Sequence, residues 1–377
     1  MERTVLVAIE FDQRLPATRA AQAGNSPTWS IADELRELEE LATSAGCRVV
    51  NTVSARRHTP VAGTLIGSGK VEEIASVAEQ ADAQVVIFNQ ELSPAQQRNI
   101  EEAVQVKTID RTQLILDIFA QRARSSEGKV QVELAQLRYL LPRLAGKGIW
   151  LSRLGGGIGT RGPGEQKLEV DRRHIRRRIT KLTGELDKLA QRREATRQHR
   201  QEAQLPVAAL VGYTNAGKST LLNRLSGSSA LTENRLFTTL DPLARRVRLP
   251  SGRWVVLTDT VGFLHRLPHH LIEAFKATLE ETRAADLLLH VLDASHPLAA
   301  EHAEAVDHVL ALLAMKEKPL VTVLNKIDQL PNPSVVTALA RTLPSPVAVS
   351  ALRGQGLPEL LALIEHRLSA DASQSTG

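Results

Sequence analysis

At 377 residues, with 42% hydrophobic and 24% charged side chains, the chain suits two or three soluble domains rather than one core. Its only cysteine, Cys47, excludes an internal disulfide and any multi-cysteine metal site. No apolar run approaches the roughly 18 residues that span a bilayer, so the expectation is a cytoplasmic protein without a membrane span.

The net charge of +5 is unevenly spread: Arg111 to Gln204 carries 21 Lys and Arg against 10 Asp and Glu, an excess of +11 that leaves −6 for the remainder. A polyanion would be met by that one segment; the plainer reading is a solvated helix surface.

Residues 1–110 alternate between strand and helix patterns. Val5–Ile9 is an apolar strand, too short for a signal peptide. Ser30 can cap a helix over Ile31–Ala45, with Gly46 as its stop. Strands follow at Val49–Val53, Gln84–Phe88 and Val106–Ile109, with a helix over Val71–Glu79 and another opened by Ser93-Pro94. Such alternation predicts a small parallel α/β domain. Gly63-Thr-Leu-Ile-Gly67-Ser-Gly69-Lys70 imitates a phosphate loop, but its spacing is one residue too long and Val71 replaces the metal-binding hydroxyl. It reads as a turn into a helix, with a phosphate contact to nucleic acid left open.

Residues 111–204 change character. Val130, Leu134, Leu137, Leu141 and Leu144 make one apolar seam; Ile175, Ile179, Leu182, Leu186 and Leu189 make a second. Two such seams predict an antiparallel helical hairpin, with Pro142 kinking or ending the first helix. Between them, Gly146–Gly164 holds 8 glycines in 19 residues together with Lys147, Trp150, Arg153 and Arg161; Lys167 lies just beyond. Glycine admits close approach of a phosphate, the cations neutralise it, and an indole can stack on a base.

Residues 205–368 resume the alternation, with strands at Pro206–Val211, Trp254–Leu257, Leu287–Leu292, Leu320–Leu324 and Val347–Val349. Residues 369–377 are small and polar, and are expected to be a disordered tail.

The chemistry is concentrated here. Gly212-Tyr-Thr-Asn-Ala-Gly217-Lys218-Ser219 fits G-x-x-x-x-G-K-[ST] and follows a strand. Gly212, Asn215, Ala216, Gly217, Lys218, Ser219 and Thr220 are its candidate nucleotide contacts: backbone amides cradle phosphate at a helix N-terminus, Lys218 reaches the β- and γ-phosphates, and Ser219 binds Mg²⁺. Asp259-Thr-Val-Gly262 offers a carboxylate for Mg²⁺ and an amide, at Gly262, for the γ-phosphate. Thr238 or Thr239 fits the first-switch position, where a hydroxyl completes the Mg²⁺ shell. Asn325-Lys326-Ile327-Asp328 lies about 110 residues beyond the phosphate loop. A carboxylate at Asp328 can accept from both guanine N1–H and N2–H₂, donors that adenine lacks. Ser350 and Ala351 fit the final base-contacting loop. His265 and His269 have H-x-x-x-H spacing, but Pro268 between them and the lack of a third ligand argue against zinc.

The motifs resemble the translation-factor-related class of P-loop GTPases. Gly155-Gly-Gly-Ile-Gly-Thr-Arg-Gly-Pro-Gly-Glu165 with Lys167-Leu-Glu-Val-Asp171-Arg-Arg resembles the signature of the HflX family more narrowly. Glu91-Leu-Ser-Pro-Ala-Gln-Gln-Arg98-Asn and Asp110-Arg-Thr-Gln-Leu-Ile-Leu-Asp-Ile-Phe119 resemble it too. The expected fold is α/β: a P-loop GTPase domain preceded by a small parallel α/β domain and an antiparallel helical hairpin.

The resemblance implies a GTP hydrolase that binds the large ribosomal subunit (50S) and its rRNA near the peptidyl-transferase centre and splits or rescues stalled or idle ribosomes under stress. It selects Thr239 as the switch threonine, making Lys218, Thr239 and Gly262 the catalytic candidates and Ser219, Thr239 and Asp259 those for Mg²⁺. Lys147, Trp150, Arg153, Arg161, Lys167, Arg172 and Arg173 become the rRNA candidates. Asn215 stands where potassium-activated GTPases carry a cation-binding asparagine, so K⁺ joins GTP and Mg²⁺, beside a purely loop-shaping role. Some relatives bind ATP through the N-terminal region, but no adenine site is recognisable here. The chain is expected to be a monomer. Phe263 follows Gly262 where many GTPases place a water-orienting glutamine, so hydrolysis should be slow until the ribosome completes the site. The alternatives are an assembly factor that senses GTP and an RNA-modifying enzyme timed by GTP; for the latter, residues 1–204 show no nucleophile or metal cluster.

Overall fold

The computed structural model describes residues 1–11, 29–144, 163–202, 205–228, 236–237, 243–265, 271, 282–332 and 334–374. They fall into two compact units, residues 1–121 with 129–187 and residues 122–128 with 188–377.

The first unit opens with β1 (Arg3–Phe11), α1 (Ile31–Ser44), β2 (Arg48–Arg57), α2 (Ser68–Gln80), β3 (Val85–Phe88), α3 (Pro94–Val104) and β4 (Lys107–Asp110). The sheet order is β2-β1-β3-β4, parallel throughout. The local signals act as anticipated. Ser30 and Asp33 form a capping box on α1, and Ser93 and Gln96 another on α3. The false phosphate loop is the turn into α2: Gly67 is its N-cap, and Lys70 pairs with Glu73 at 2.9 Å.

Helix α4 (Arg111–Arg122) buries Leu114, Ile115, Leu116, Ile118 and Phe119 within this unit, so the compact grouping runs through residues 110 and 111, where a boundary was expected. Asp110 is the reason. Its fully buried carboxylate accepts from the Gln113 amide at 2.9 Å, capping α4, and from the Leu92 amide at 3.0 Å. It also pairs with Arg143 at 3.3 Å. Arg143 lies 3.4 Å over the Tyr139 ring and donates to the Leu92 carbonyl at 2.7 Å. Next to Asp110, Arg111 forms a buried ion pair with Glu37 of α1.

The hairpin helices are α5 (Ser126–Arg143), with Pro142 in its last turn, and α6 (Pro163–Glu202). Glu133 meets Arg178 at 2.6 Å, and Glu127 meets Arg193 at 3.0 Å. Rising numbers on one helix meet falling numbers on the other, so the two run antiparallel. Arg178 holds the Glu133 carboxyl below the usual carboxylate range, through hydrogen bonding first and charge second. Both partners are about 40% exposed, so the pair fixes geometry more than stability. Leu134 and Leu182 are the most buried of the two seams.

The second unit contains β5 (Val207–Val211), α7 (Lys218–Ser226), β6 (Leu243–Arg248), β7 (Trp254–Asp259), β8 (Leu287–Asp293), α8 (Ala299–Leu312), β9 (Leu320–Asn325), α9 (Ser334–Thr342), β10 (Pro346–Ala348) and α10 (Leu357–Gln374). Sheet order is β10-β9-β8-β5-β7-β6, with β6 alone antiparallel. Leu210, Leu257, Leu289 and Val323 line one buried face together with Leu221 of α7 and Leu360 of α10. Helix α10 runs on to Gln374, whereas polar composition suggested disorder from 369. Ala370 and Ala372 carry the highest helix propensity, so extending the helix costs little. No helix is long and apolar enough to cross a membrane among the described residues.

Replacing Asp110 by Ala leaves the largely buried Arg143 without its carboxylate partner and α4 without its cap. The expected loss is about 3–5 kcal/mol in urea unfolding, with Asp110→Asn losing clearly less because it keeps the cap.

Candidate functional site

Strand β5 ends at Val211, and the chain turns through 212–217 into α7. Gly217 adopts φ +93°, and a Cβ there would strike the Asn325 side-chain amide, so only glycine serves. The turn aims the first amides of α7 into the space above the strand ends, a ready anion site. Lys218 is buried, and its Nζ donates to the carbonyls of Gly212 (3.1 Å) and Tyr213 (2.8 Å). Burial pulls its pKa down to about 8, with Asp259 opposing the shift. Ser219 Oγ donates to Asp259 Oδ2 at 2.6 Å, joining the first turn of α7 to the end of β7.

One hydroxyl and one fully buried carboxylate, both oxygen donors, fit Mg²⁺, which needs few protein ligands when phosphates and water fill the rest. No cluster of three His, Cys, Asp or Glu fit to hold a metal occurs among the described residues.

The chain after β7 is held against the phosphate loop by its backbone. The Thr214 amide donates to the Phe263 carbonyl (2.8 Å) and the Phe263 amide to the Gly212 carbonyl (3.1 Å). Gly262 sits so close that a Cβ would lie 2.6 Å from Thr214 Cα. Thr214 Oγ1 also accepts from the Phe237 amide at 3.0 Å. Thr239 and Thr238 lie outside the described residues.

At the other end of the cradle, Asn325 donates to the Ala216 carbonyl (2.9 Å) and accepts from the Ala351 amide (3.0 Å). Lys326, in the left-handed region at φ 62°, pairs with Asp293 at 2.6 Å. Asp328 sits in the short 3₁₀ turn Ile327–Gln329, with Oδ1 accepting from Ser350 Oγ (2.6 Å) and Oδ2 3.7 Å from Arg353. Sequence motifs scattered over some 140 residues thus meet at the carboxyl ends of the sheet's strands. Asn215 is exposed, and Thr220 lies in the first turn of α7.

Sequence reasoning missed Asp293, Arg353, Tyr213 and Thr214. The end of a central strand is a weak signal for Asp293, while Tyr213 and Thr214 are variable positions within the motif. The RNA candidates divide differently. Lys147, Trp150, Arg153 and Arg161 lie outside the described residues, as does the Lys167 side chain; on α6, Arg172 is half-buried and Arg173 exposed. His265 is described and His269 is not.

Residues 32–120 match the family described as GTP-binding GTPase N-terminal, 122–200 the GTP-binding GTPase Middle Region, and 207–326 the 50S ribosome-binding GTPase. A protein named GTPase HflX from Caldanaerobacter subterraneus subsp. tengcongensis is 52% identical over 340 residues, covering 89% of this chain and 77% of the relative. The Escherichia coli GTPase HflX is 46% identical over 345 residues, covering 91% and 81%. Among solved structures, a GTP-binding protein from Sulfolobus solfataricus in complex with GDP is 24% identical with a TM-score of 0.48, covering 98% of this chain and 99% of that one.

Asp328→Ala removes the carboxylate that is expected to accept from guanine N1–H and N2–H₂. Titration calorimetry should show GDP affinity falling by about 10²- to 10⁴-fold, at roughly 1.5–3 kcal/mol per bond, while weak ADP binding is unchanged. Gly217→Ala should abolish binding of both.

Proposed function

The chain belongs to the HflX family of GTPases and hydrolyses GTP, and from that premise we propose that it couples its GTP cycle to the large ribosomal subunit, docking through the basic hairpin and splitting or rescuing stalled or idle ribosomes under stress. The observation that carries the docking is the charge: an excess of +11 sits between Arg111 and Gln204, on and around an antiparallel hairpin whose helices flank the glycine-rich segment. The match of residues 207–326 to a family described as ribosome-binding supports the same partner.

In this reading the guanine is selected by Asp328, with Lys326 and Ser350 fixing the pocket and Asn325 and Ala351 its frame. The amides of Gly212 to Ser219 and the Lys218 ammonium take the phosphates, and Thr220 supports them from the first turn of α7. Ser219 and Asp259 would hold Mg²⁺, and Thr239 would join them when a γ-phosphate is present. A metal ion bound between them would supply charge neutralisation for the phosphates. The Gly262 amide senses the γ-phosphate, and Asn215 is free to face K⁺. The Phe263 ring is 1% exposed and has no group that can orient water. Hydrolysis by the isolated chain is therefore slow, and the ribosome supplies or orders what is missing. Loss of the γ-phosphate releases Thr239 and the chain after Asp259, lowering affinity through the difference between the two nucleotide states.

Sedimentation with 50S subunits should retain the chain under a non-hydrolysable GTP analogue and release it under GDP. Equal retention sinks the proposal. Turnover should rise at least about tenfold, a barrier change near 1.4 kcal/mol, when large subunits are added. Density gradients separate the alternative: split 70S particles support the proposal, whereas accumulated precursors support an assembly role.

A further inference from the structure

We propose that the free edge of the second unit's sheet is an RNA-contact surface of its own, with Arg246 and Arg248 holding phosphates and Trp254 stacking an unpaired base. The proposal rests on the ribosomal reading only for the source of the RNA.

Among the described residues, strand β6 is the outermost strand and has a neighbour on one side only. Its antiparallel register sets Arg246 opposite Val256, Val247 opposite Val255 and Arg248 opposite Trp254. Side chains alternate between faces, and opposed residues share one. Val247 and Val255 enter the core at 2% and 0% exposure. Arg246, Arg248 and Trp254 therefore stand together on the opposite face.

Both arginines are exposed, and neither makes a hydrogen bond or ion pair among the described residues. Their neighbour Arg253 shows the contrast: Glu365, Ser251 and Ser369 occupy its guanidinium. The Arg248 guanidinium lies near the turn at Gly252, where a Cβ would come 3.6 Å from a terminal nitrogen, and the strand register sets Arg248 opposite Trp254. Trp254 is 48% exposed although the rest of β7, Val255–Asp259, is buried.

Charge alone has a plainer use, since a cation on an edge strand deters pairing with another sheet. That use needs neither two unpaired guanidinium groups nor a half-exposed indole. Residues two apart on a strand are about 6.8 Å apart, so the pair can straddle neighbouring phosphates while the indole offers a flat face to a base. Two guanidinium groups without a partner among the described residues are complementary to a polyanion, and the exposed indole suits a splayed, single-stranded segment better than a duplex.

The test uses the intact chain and a fluorescein-labelled 12-nucleotide oligouridylate over a salt series. Arg246→Ala with Arg248→Ala should flatten the slope of log affinity against log salt by about 1.4, at roughly 0.7 per phosphate on a single strand. Trp254→Ala should weaken binding about five- to hundredfold with the slope unchanged. Arg246→Lys with Arg248→Lys should restore the slope. None of these residues is among the candidate nucleotide contacts, so unchanged GTP affinity certifies the fold. The series is repeated in an Arg153→Ala and Arg161→Ala background, which removes hairpin contacts.

Edge variants matching their parent in affinity and slope overturn the proposal, as does an intact chain that fails to bind the oligonucleotide. Sedimentation with large subunits separates the two readings. An intact chain that never sediments refutes the ribosomal partner, while loss of oligonucleotide binding in the edge variants still upholds the edge. An intact chain that sediments, with edge variants indistinguishable in RNA binding, refutes the edge alone.

Discussion

The side-chain amide of Asn325 is shared between two loops far apart in sequence. Its nitrogen donates to Ala216 in the phosphate loop, and its oxygen accepts from the Ala351 amide after β10. At 2% exposure, neither end of the amide can fall back on bulk water, so each loop is held at the cost of an unpaired buried group if it drifts. That side chain thereby ties the turn at residues 212–217 to the loop after β10. The same side chain lies where a Cβ on residue 217 would be, which dictates glycine and the positive φ that launches α7. Lys326 follows in a left-handed conformation, which directs its ammonium to Asp293 and carries Asp328 into the turn that faces Ser350.

This part of the molecule was legible because its chemistry demands contiguous residues. A phosphate nest needs successive amides, and a base pocket needs an acid at a fixed step beyond a strand. The buried parallel strands announced themselves as apolar runs, and the helix starts as Ser30 and Ser93 caps. Strand β6 did not. Leu-Ala-Arg-Arg-Val-Arg has too little apolar alternation to read as a strand, and it is one because Val247 closes against Val255 on its neighbour. The tail misled in the opposite sense: small polar residues suggested disorder, yet alanine continues α10 readily.

The segments around Leu92 and Asp110, distinctive as sequence, turn out to serve packing. The Asp110 carboxylate joins a strand end, a helix start, a loop amide and the last turn of α5. A buried acid with that many partners ties elements far apart in sequence, and no local pattern reveals the partners in advance. Arg143 could be counted among basic residues of the hairpin, but its guanidinium is committed to Asp110, Leu92 and the Tyr139 ring. Net charge along a segment therefore overstates the charge available to a polyanion.

A similar long-range tie governs the chain after β7. Tyr213 stacks on His302 of α8 with 3.8 Å between ring centroids and 6° between planes, and His302 stacks in turn on His296 at 4.3 Å. Burial, reinforced by His296, pushes the His302 pKa down to about 3 against the pull of Asp293, so the imidazole is neutral wherever the protein is folded near neutrality. A neutral ring can lie flat against the phenol without desolvating a charge. The stack fixes Tyr213, and the Tyr213 hydroxyl accepts from the His265 amide at 2.8 Å. Two residues earlier, Phe263 is laced to the phosphate loop by both its backbone groups. The start of this segment is thus clamped from two sides, by the loop backbone and by a side chain anchored on α8. Any movement that begins at Gly262 must pass through contacts that are either made or broken, which suits a two-state response better than a graded one.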